Sequence, residues 1–230
     1  MSSPAPVLVA AAHGTSSPAG RSAIGGLVAA VAARRPDLTV RAAFVDVQPP
    51  DPAAVLVSLS GAAPARLVPL LLSAGYHVFV DLTRAAESVP GTTVAPALGP
   101  DDRLTRLLHR RLVAAGLRDD DVVVLAAAGS SQASAVADCR AVADTLSRTL
   151  GQEVTAAFLS AAEPRLSGAV AAQRISSRRV VVATYLLAPG FFADLAARSG
   201  ADVVAPPLLV AGQPPPDELV DIVLERYLCS

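Results

Sequence analysis

The chain has 230 residues, 52% of them hydrophobic but only 3% aromatic, with 19 basic and 20 acidic side chains and a formal net charge of −1. A core of Ala, Val and Leu suits closely packed helix-on-sheet layers better than an aromatic-rich sandwich, and the near-neutral balance, with no basic run interleaved with aromatics, argues against a nucleic-acid partner. No apolar run approaches the roughly 18 residues of a membrane helix, and no basic segment leads into a hydrophobic stretch at the amino terminus, so a cytoplasmic protein without a membrane partner is expected. Cys139 and Cys229 lack CxxC spacing, which speaks against a disulfide scaffold or thiolate metal site.

In chain order, the apolar run from Val7 to Ala12 predicts a buried parallel strand that stops at His13. Ser16, Ser17 and Pro18 supply cap chemistry for a helix with Ile24, Leu27, Val28 and Val31 at helical spacing, ending near Arg34, Arg35 and Pro36. Thr39 to Val45 predicts a second strand, followed by Asp46, a turn at Gln48 to Asp51 and a helix to about Ser60. Arg66 to Leu72 predicts a third strand, then a loop containing His77 and a helix to about Ser88. A short fourth strand at Thr92 to Pro96 precedes a helix that begins at Pro100, Asp101 and Asp102, turns Leu104, Leu107, Leu108 and Leu112 inward, and ends at Gly116.

The same order then begins again. Val122 to Ser131 resembles Val7 to Ser16 at an offset of 115, Thr155 to Ser160 echoes Arg41 to Asp46 at 114, Tyr185 to Phe192 echoes Leu70 to His77 at 115, and Pro216 to Leu219 answers Asp101 to Leu104 at 115. A tandem duplication explains the pattern. The expected fold is α/β, with two βαβ domains, 1–118 and 119–230, joined at Leu117 to Asp121 and each built on a parallel sheet covered by helices on both faces.

The repeat is most informative where it fails. His13 maps to Ala128, Asp46 to Ser160 and His77 to Phe192, so three polar residues at strand ends are lost together while their surroundings persist. Open α/β sheets bind ligands at these carboxyl ends. Two imidazoles and a carboxylate suit a divalent first-row metal with positions left open for substrate or water. Asp46 could equally cap the following helix. His109 lies among Arg106, Arg110 and Arg111 and is expected to be solvated; Tyr76 could stack on a flat ligand or fill the local core.

Ala12-His13-Gly14-Thr15, Phe44-Val45-Asp46, and above all Pro69 to Asp81, which contains Ser73-Ala74-Gly75-Tyr76-His77, resemble the sirohydrochlorin chelatase family. These class II chelatases insert cobalt or ferrous iron into sirohydrochlorin for cobalamin or sirohaem synthesis. The likeness covers nearly the whole chain, whose duplicated length is similar to that of the two-domain members. It implies chelatase-like, flavodoxin-like domains facing across a cleft, the first carrying the metal site and the second lacking the ligands. It further implies that His13 and His77 bind the metal, with Asp46 as ligand or proton acceptor, and that Gly14, Thr15, Ser16, Gly75 and Tyr76 contact the tetrapyrrole. The partners implied are sirohydrochlorin and a divalent ion, Co2+ or Fe2+, with no further cofactor, and the chain is expected to be a monomer with an internal pseudo-two-fold repeat. Two rivals remain at this level. A histidine phosphatase would need an arginine where Ala12 stands, and a metal or tetrapyrrole carrier would share the same ligands without catalysing insertion.

Overall fold

A computed structural model of the chain describes residues 5–59, 63–73, 76–174 and 178–229, with the backbone alone for residues 76–79. Among the described residues two four-stranded parallel sheets are present, ordered β2-β1-β3-β4 and β6-β5-β7-β8. The first comprises β1 (Val7–Ala12), β2 (Val40–Phe44), β3 (Ala65–Pro69) and β4 (Thr92–Val94); the second comprises β5 (Val122–Ala127), β6 (Val154–Phe158), β7 (Val180–Tyr185) and β8 (Val203–Val204). The helices are α1 (Pro18–Arg34), α2 (Pro52–Leu59), α3 (Tyr76–Glu87), α4 (Asp102–Ala114), α5 (Ala133–Leu150), α6 (Leu166–Arg174), α7 (Phe191–Ala197) and α8 (Asp217–Leu228). The duplicated, doubly covered α/β architecture read from the sequence is the architecture observed. No helix among the described residues is long and apolar enough to cross a membrane.

All six residues of β1 are buried, as a central strand covered on both faces requires. Val7, Val9 and Ala11 join Val55 and Leu56 of α2 and Leu82 and Ala86 of α3 in one core cluster. The intervening Leu8, Ala10 and Ala12 point to the opposite face, since successive strand side chains alternate. α1 starts where the local chemistry directs it: Ser17 is the N-cap, its side chain accepting the Gly20 N–H at 3.3 Å, and Pro18 occupies the first turn, where its missing N–H costs nothing.

The compact units do not follow the expected division at 118/119. One contains residues up to 98 together with 212–230, the other residues 99–211. The last helix of each repeat is therefore packed on the sheet of the other: α8 lies against α1 and β3, and α4 against α5 and β7. Burial drives both placements, through Leu219, Val220, Ile222 and Val223 on α8 and Leu104, Leu107, Leu108 and Leu112 on α4.

Polar contacts make the exchange specific. Arg226 of α8 donates to the carbonyls of Ala97 (2.9 Å) and Leu98 (3.2 Å). Arg111, its counterpart on α4, donates to Leu208 O at 2.8 Å. Arg66 of β3 donates to the carbonyls of Tyr227 (2.6 Å) and Cys229 (3.2 Å), satisfying orphan acceptors at the end of α8. Arg34, in the last turn of α1, pairs with Asp217 and Asp221 in the first turns of α8. In the other unit the 117–121 joint is anchored by Asp121, whose fully buried carboxylate accepts from Arg118 N–H at 2.8 Å and Arg179 Nη1 at 3.0 Å.

Candidate functional site

The order β2-β1-β3 sets three candidate segments side by side. Neighbouring strands lie about 4.8 Å apart, and all strands of the sheet run parallel, so the loops after β1, β2 and β3 leave the same edge. The chain crosses from β1 to β2 on one side and later places β3 on the other, making the β1/β3 boundary the topological switch point where flavodoxin-like sheets bind ligands. His13 is the first residue after β1, and Asp46 is the second after β2.

Backbone contacts bring His13 and Asp46 together. Asp46 N–H donates to His13 O at 2.9 Å, extending the β1/β2 ladder, in which Val45 N–H bonds Ala12 O at 3.0 Å. Gly14, at φ 98°, packs so closely that a Cβ there would lie 2.0 Å from Asp46 O. Only glycine combines that dihedral with that approach. Both the His13 and Asp46 side chains are exposed, and Asp46 Oδ1 accepts the Val47 N–H at 2.7 Å. The carboxylate is aimed by its own backbone and makes no cap on α2. That cap is Asp51, whose Oδ1 accepts Ala54 N–H at 2.9 Å.

Among the other candidates, Thr15 is half-buried, its Oγ1 accepting Ser17 N–H at 3.1 Å, while Ser16 is exposed in the same loop. The Thr15 N–H donates to Gln48 Oε1 at 3.1 Å. Sequence reading treated Gln48 only as part of a turn. The signal was there, because Gln48 aligns with Ala162 and so disappears in the second repeat alongside His13, Asp46 and His77.

His77 falls in the first turn of α3, which begins at Tyr76, rather than in a loop before the helix. The side chains of Tyr76 and His77 and the whole of Gly75 lie outside the described residues. Among the described side chains, no three of His, Cys, Asp or Glu form a group able to hold a metal. His109 is half-buried on α4 rather than fully solvated, and α4 belongs to the other unit.

The second unit repeats the scaffold without the polar groups. Ser160 N–H donates to Ala128 O at 2.8 Å, and Gly129, at φ 93°, leaves 1.9 Å between a hypothetical Cβ and Ser160 O. α7 begins at Phe191, the counterpart of Tyr76, and Gly190 before it has φ 154°. Phe192, at the His77 position, packs against the core formed by β5, β7 and α6. Its ring meets that of Phe191 edge-on, with centroids 5.5 Å apart.

A model of the CbiX family matches residues 7–115 and 122–211, one match in each repeat. Solved structures similar to the chain include SirB from Bacillus subtilis with Fe3+, at 19% identity and a TM-score of 0.76 over 96% of this chain and 94% of that one. The sirohydrochlorin chelatase SirB from Bacillus subtilis subspecies spizizenii, in complex with cobalt, is 17% identical with a TM-score of 0.74 over 96% and 93%. DR2241 from Deinococcus radiodurans, a multi-domain protein with structural similarity to chelatases, is 19% identical with a TM-score of 0.61, covering 97% of this chain but 54% of that one. At these identities the likeness is one of fold. No curated protein sequence matches.

Proposed function

This chain belongs to the CbiX family, and from that membership we propose that it is a sirohydrochlorin chelatase, inserting Co2+ or Fe2+ into the tetrapyrrole and acting in the cytoplasm as a monomer. The observation that carries this reading is the contrast between the repeats. The loop-on-loop packing of Gly14 against Asp46 O is kept by Gly129 against Ser160 O, yet the imidazole, carboxylate and second imidazole of the first unit become Ala128, Ser160 and Phe192. A scaffold kept in both copies with its polar groups in one is a site used once.

In this reading the metal is a substrate, taken by His13 and His77 at the switch point of the first sheet. Imidazole nitrogen ligands can strip part of a hydration shell and still release the ion, because no thiolate holds it. Fixing the ion at one edge of the sheet while the macrocycle binds beside it makes its transfer effectively intramolecular. Two pyrrole protons must leave as the metal enters. An imidazole released by the departing ion has a free nitrogen lone pair and can take one of them. Asp46, with Oδ1 engaged by Val47 N–H, has a second carboxylate oxygen for the ion or a proton. The Gly14-Thr15-Ser16 loop before α1 and the Gly75-Tyr76 segment before α3 are the proposed tetrapyrrole contacts.

The test is metallation of sirohydrochlorin, followed by the change in its visible spectrum. His13→Ala and His77→Ala are each expected to abolish insertion by either ion while leaving the melting curve unchanged, and His109→Ala is expected to match wild type. Stoichiometric binding of metal and tetrapyrrole without metallated product identifies a carrier instead, and full activity in both ligand variants ends the proposal.

A further inference from the structure

Two hydrogen bonds straddle Gly14. On one side the His13 carbonyl accepts the Asp46 N–H at 2.9 Å; on the other the Thr15 N–H donates to the side-chain carbonyl of Gln48 at 3.1 Å. The segment 13–15 is thereby tied at both ends to the segment 46–48. Gln48 is directed there by an unusual backbone. Its N–H bonds Asp46 O at 2.7 Å, closing a γ-turn over Val47, whose φ is 68°. A β-branched residue with positive φ is sterically disfavoured, so this turn is held by the contacts around it. Beyond Thr15 the chain of bonds continues through Thr15 Oγ1 to Ser17 N–H at 3.1 Å and through Ser17 Oγ to Gly20 N–H at 3.3 Å, reaching the first turn of α1.

The second unit separates what folding needs from what the first unit adds. It retains the backbone bond from Ser160 N–H to Ala128 O at 2.8 Å and the γ-turn, closed by Ala162 N–H to Ser160 O at 2.6 Å over Ala161 at φ 53°. It also retains the Ser130 Oγ bond to Gln132 N–H at 3.1 Å, the counterpart of Thr15 to Ser17. Two side-chain bonds of the first unit are missing: the Gln48 position is Ala162, which has no side-chain acceptor, and the Ser17 position is Gln132, whose side chain makes no cap bond on α5, while Ser160 Oγ adds a bond to Ala128 O at 2.8 Å. The loop thus folds without the amide, and the amide is present where the loop carries a histidine.

We propose that Gln48 is a positioning residue for the metal substrate: by accepting the Thr15 N–H it immobilises the backbone on both sides of Gly14 and so fixes the point from which the His13 imidazole reaches the ion. This rests on the reading of His13 as a metal-binding residue. Partners that orient metal ligands typically affect affinity by about 10–100-fold.

The test uses the full-length protein and Co2+ alone, titrated through the visible absorption of the bound ion, without tetrapyrrole. Gln48→Leu removes the acceptor and is expected to weaken Co2+ binding about tenfold or more, with the melting temperature held within about 2 °C, less than 1 kcal/mol in a chain of this size. Gln48→Glu keeps an oxygen in reach of the Thr15 N–H and is expected to restore binding. Wild-type affinity in Gln48→Leu, or a failure of Gln48→Glu to restore binding, overturns the inference. Because no insertion is measured, wild-type protein that binds Co2+ but forms no metallated product defeats the chelatase reading alone; wild-type protein that binds no Co2+ defeats both.

Discussion

Replacing Gly14 with Ala perturbs the site through backbone geometry alone. An ideal Cβ at Gly14 would sit 2.0 Å from Asp46 O, whereas carbon–oxygen contacts begin near about 3.3 Å, so the two loops must part by roughly 1 Å. An L-residue at φ 98° adds about 1–2 kcal/mol, and loss of the Asp46 N–H to His13 O bond adds about 0.5–1.5 kcal/mol. The sum, about 1.5–3.5 kcal/mol, corresponds to a fall in melting temperature of about 3–14 °C for a chain of this size. Gly129→Ala supplies the matched control, since its Cβ would lie 1.9 Å from Ser160 O at φ 93°. Both variants should lose similar thermal stability by calorimetry, but only Gly14→Ala should also weaken Co2+ binding, by about tenfold or more, through displacement of His13 from Asp46. A Gly14→Ala protein that melts with wild type refutes the close-approach geometry. Equal loss of Co2+ binding in both variants refutes assignment of the site to the first unit.

Two further outcomes follow from the fold. A fragment of residues 1–118 lacks α8 and with it the burial of Leu219, Val220, Ile222 and Val223, worth about 6–12 kcal/mol at 1.5–3 kcal/mol per side chain; it should aggregate on size-exclusion chromatography, and a monomeric, cooperatively melting fragment would contradict the helix exchange. Burial pushes the Tyr185 phenol well above the usual tyrosine range. The unfolded chain therefore loses this proton first, near pH 10, so the stability Tyr185 contributes is complete below that pH and lost as pH rises above it. Tyr185→Phe should flatten the fall in melting temperature between about pH 9 and 11, and an unchanged slope would show that this phenol does not contribute.

Much of this protein was legible in the order of its residues. Runs such as Val7–Ala12 and Val122–Ala127 carry their own signal, because a strand covered on both faces must be apolar throughout, and Ser17 with Pro18 marks the start of α1 by chemistry confined to one helical turn. The duplication was equally plain, and with it the contrast of His13, Asp46 and His77 with Ala128, Ser160 and Phe192. The start of α3 at Tyr76 was not read, although the repeat and α7 at Phe191 agree on it. Three features belong to tertiary structure alone. The strand order β2-β1-β3, which sets the loops carrying the candidates next to one another, depends on how the crossovers pack. The Gln48 amide on Thr15 N–H joins residues 33 positions apart through a turn whose positive φ at Val47 no propensity would suggest. The exchange of α4 and α8 between units escapes sequence reading because the two helices present matching apolar faces, and hydrophobic burial is non-directional: the pattern requires that each face be covered, while the carbonyls that Arg111 and Arg226 reach exist only once a particular sheet has been chosen.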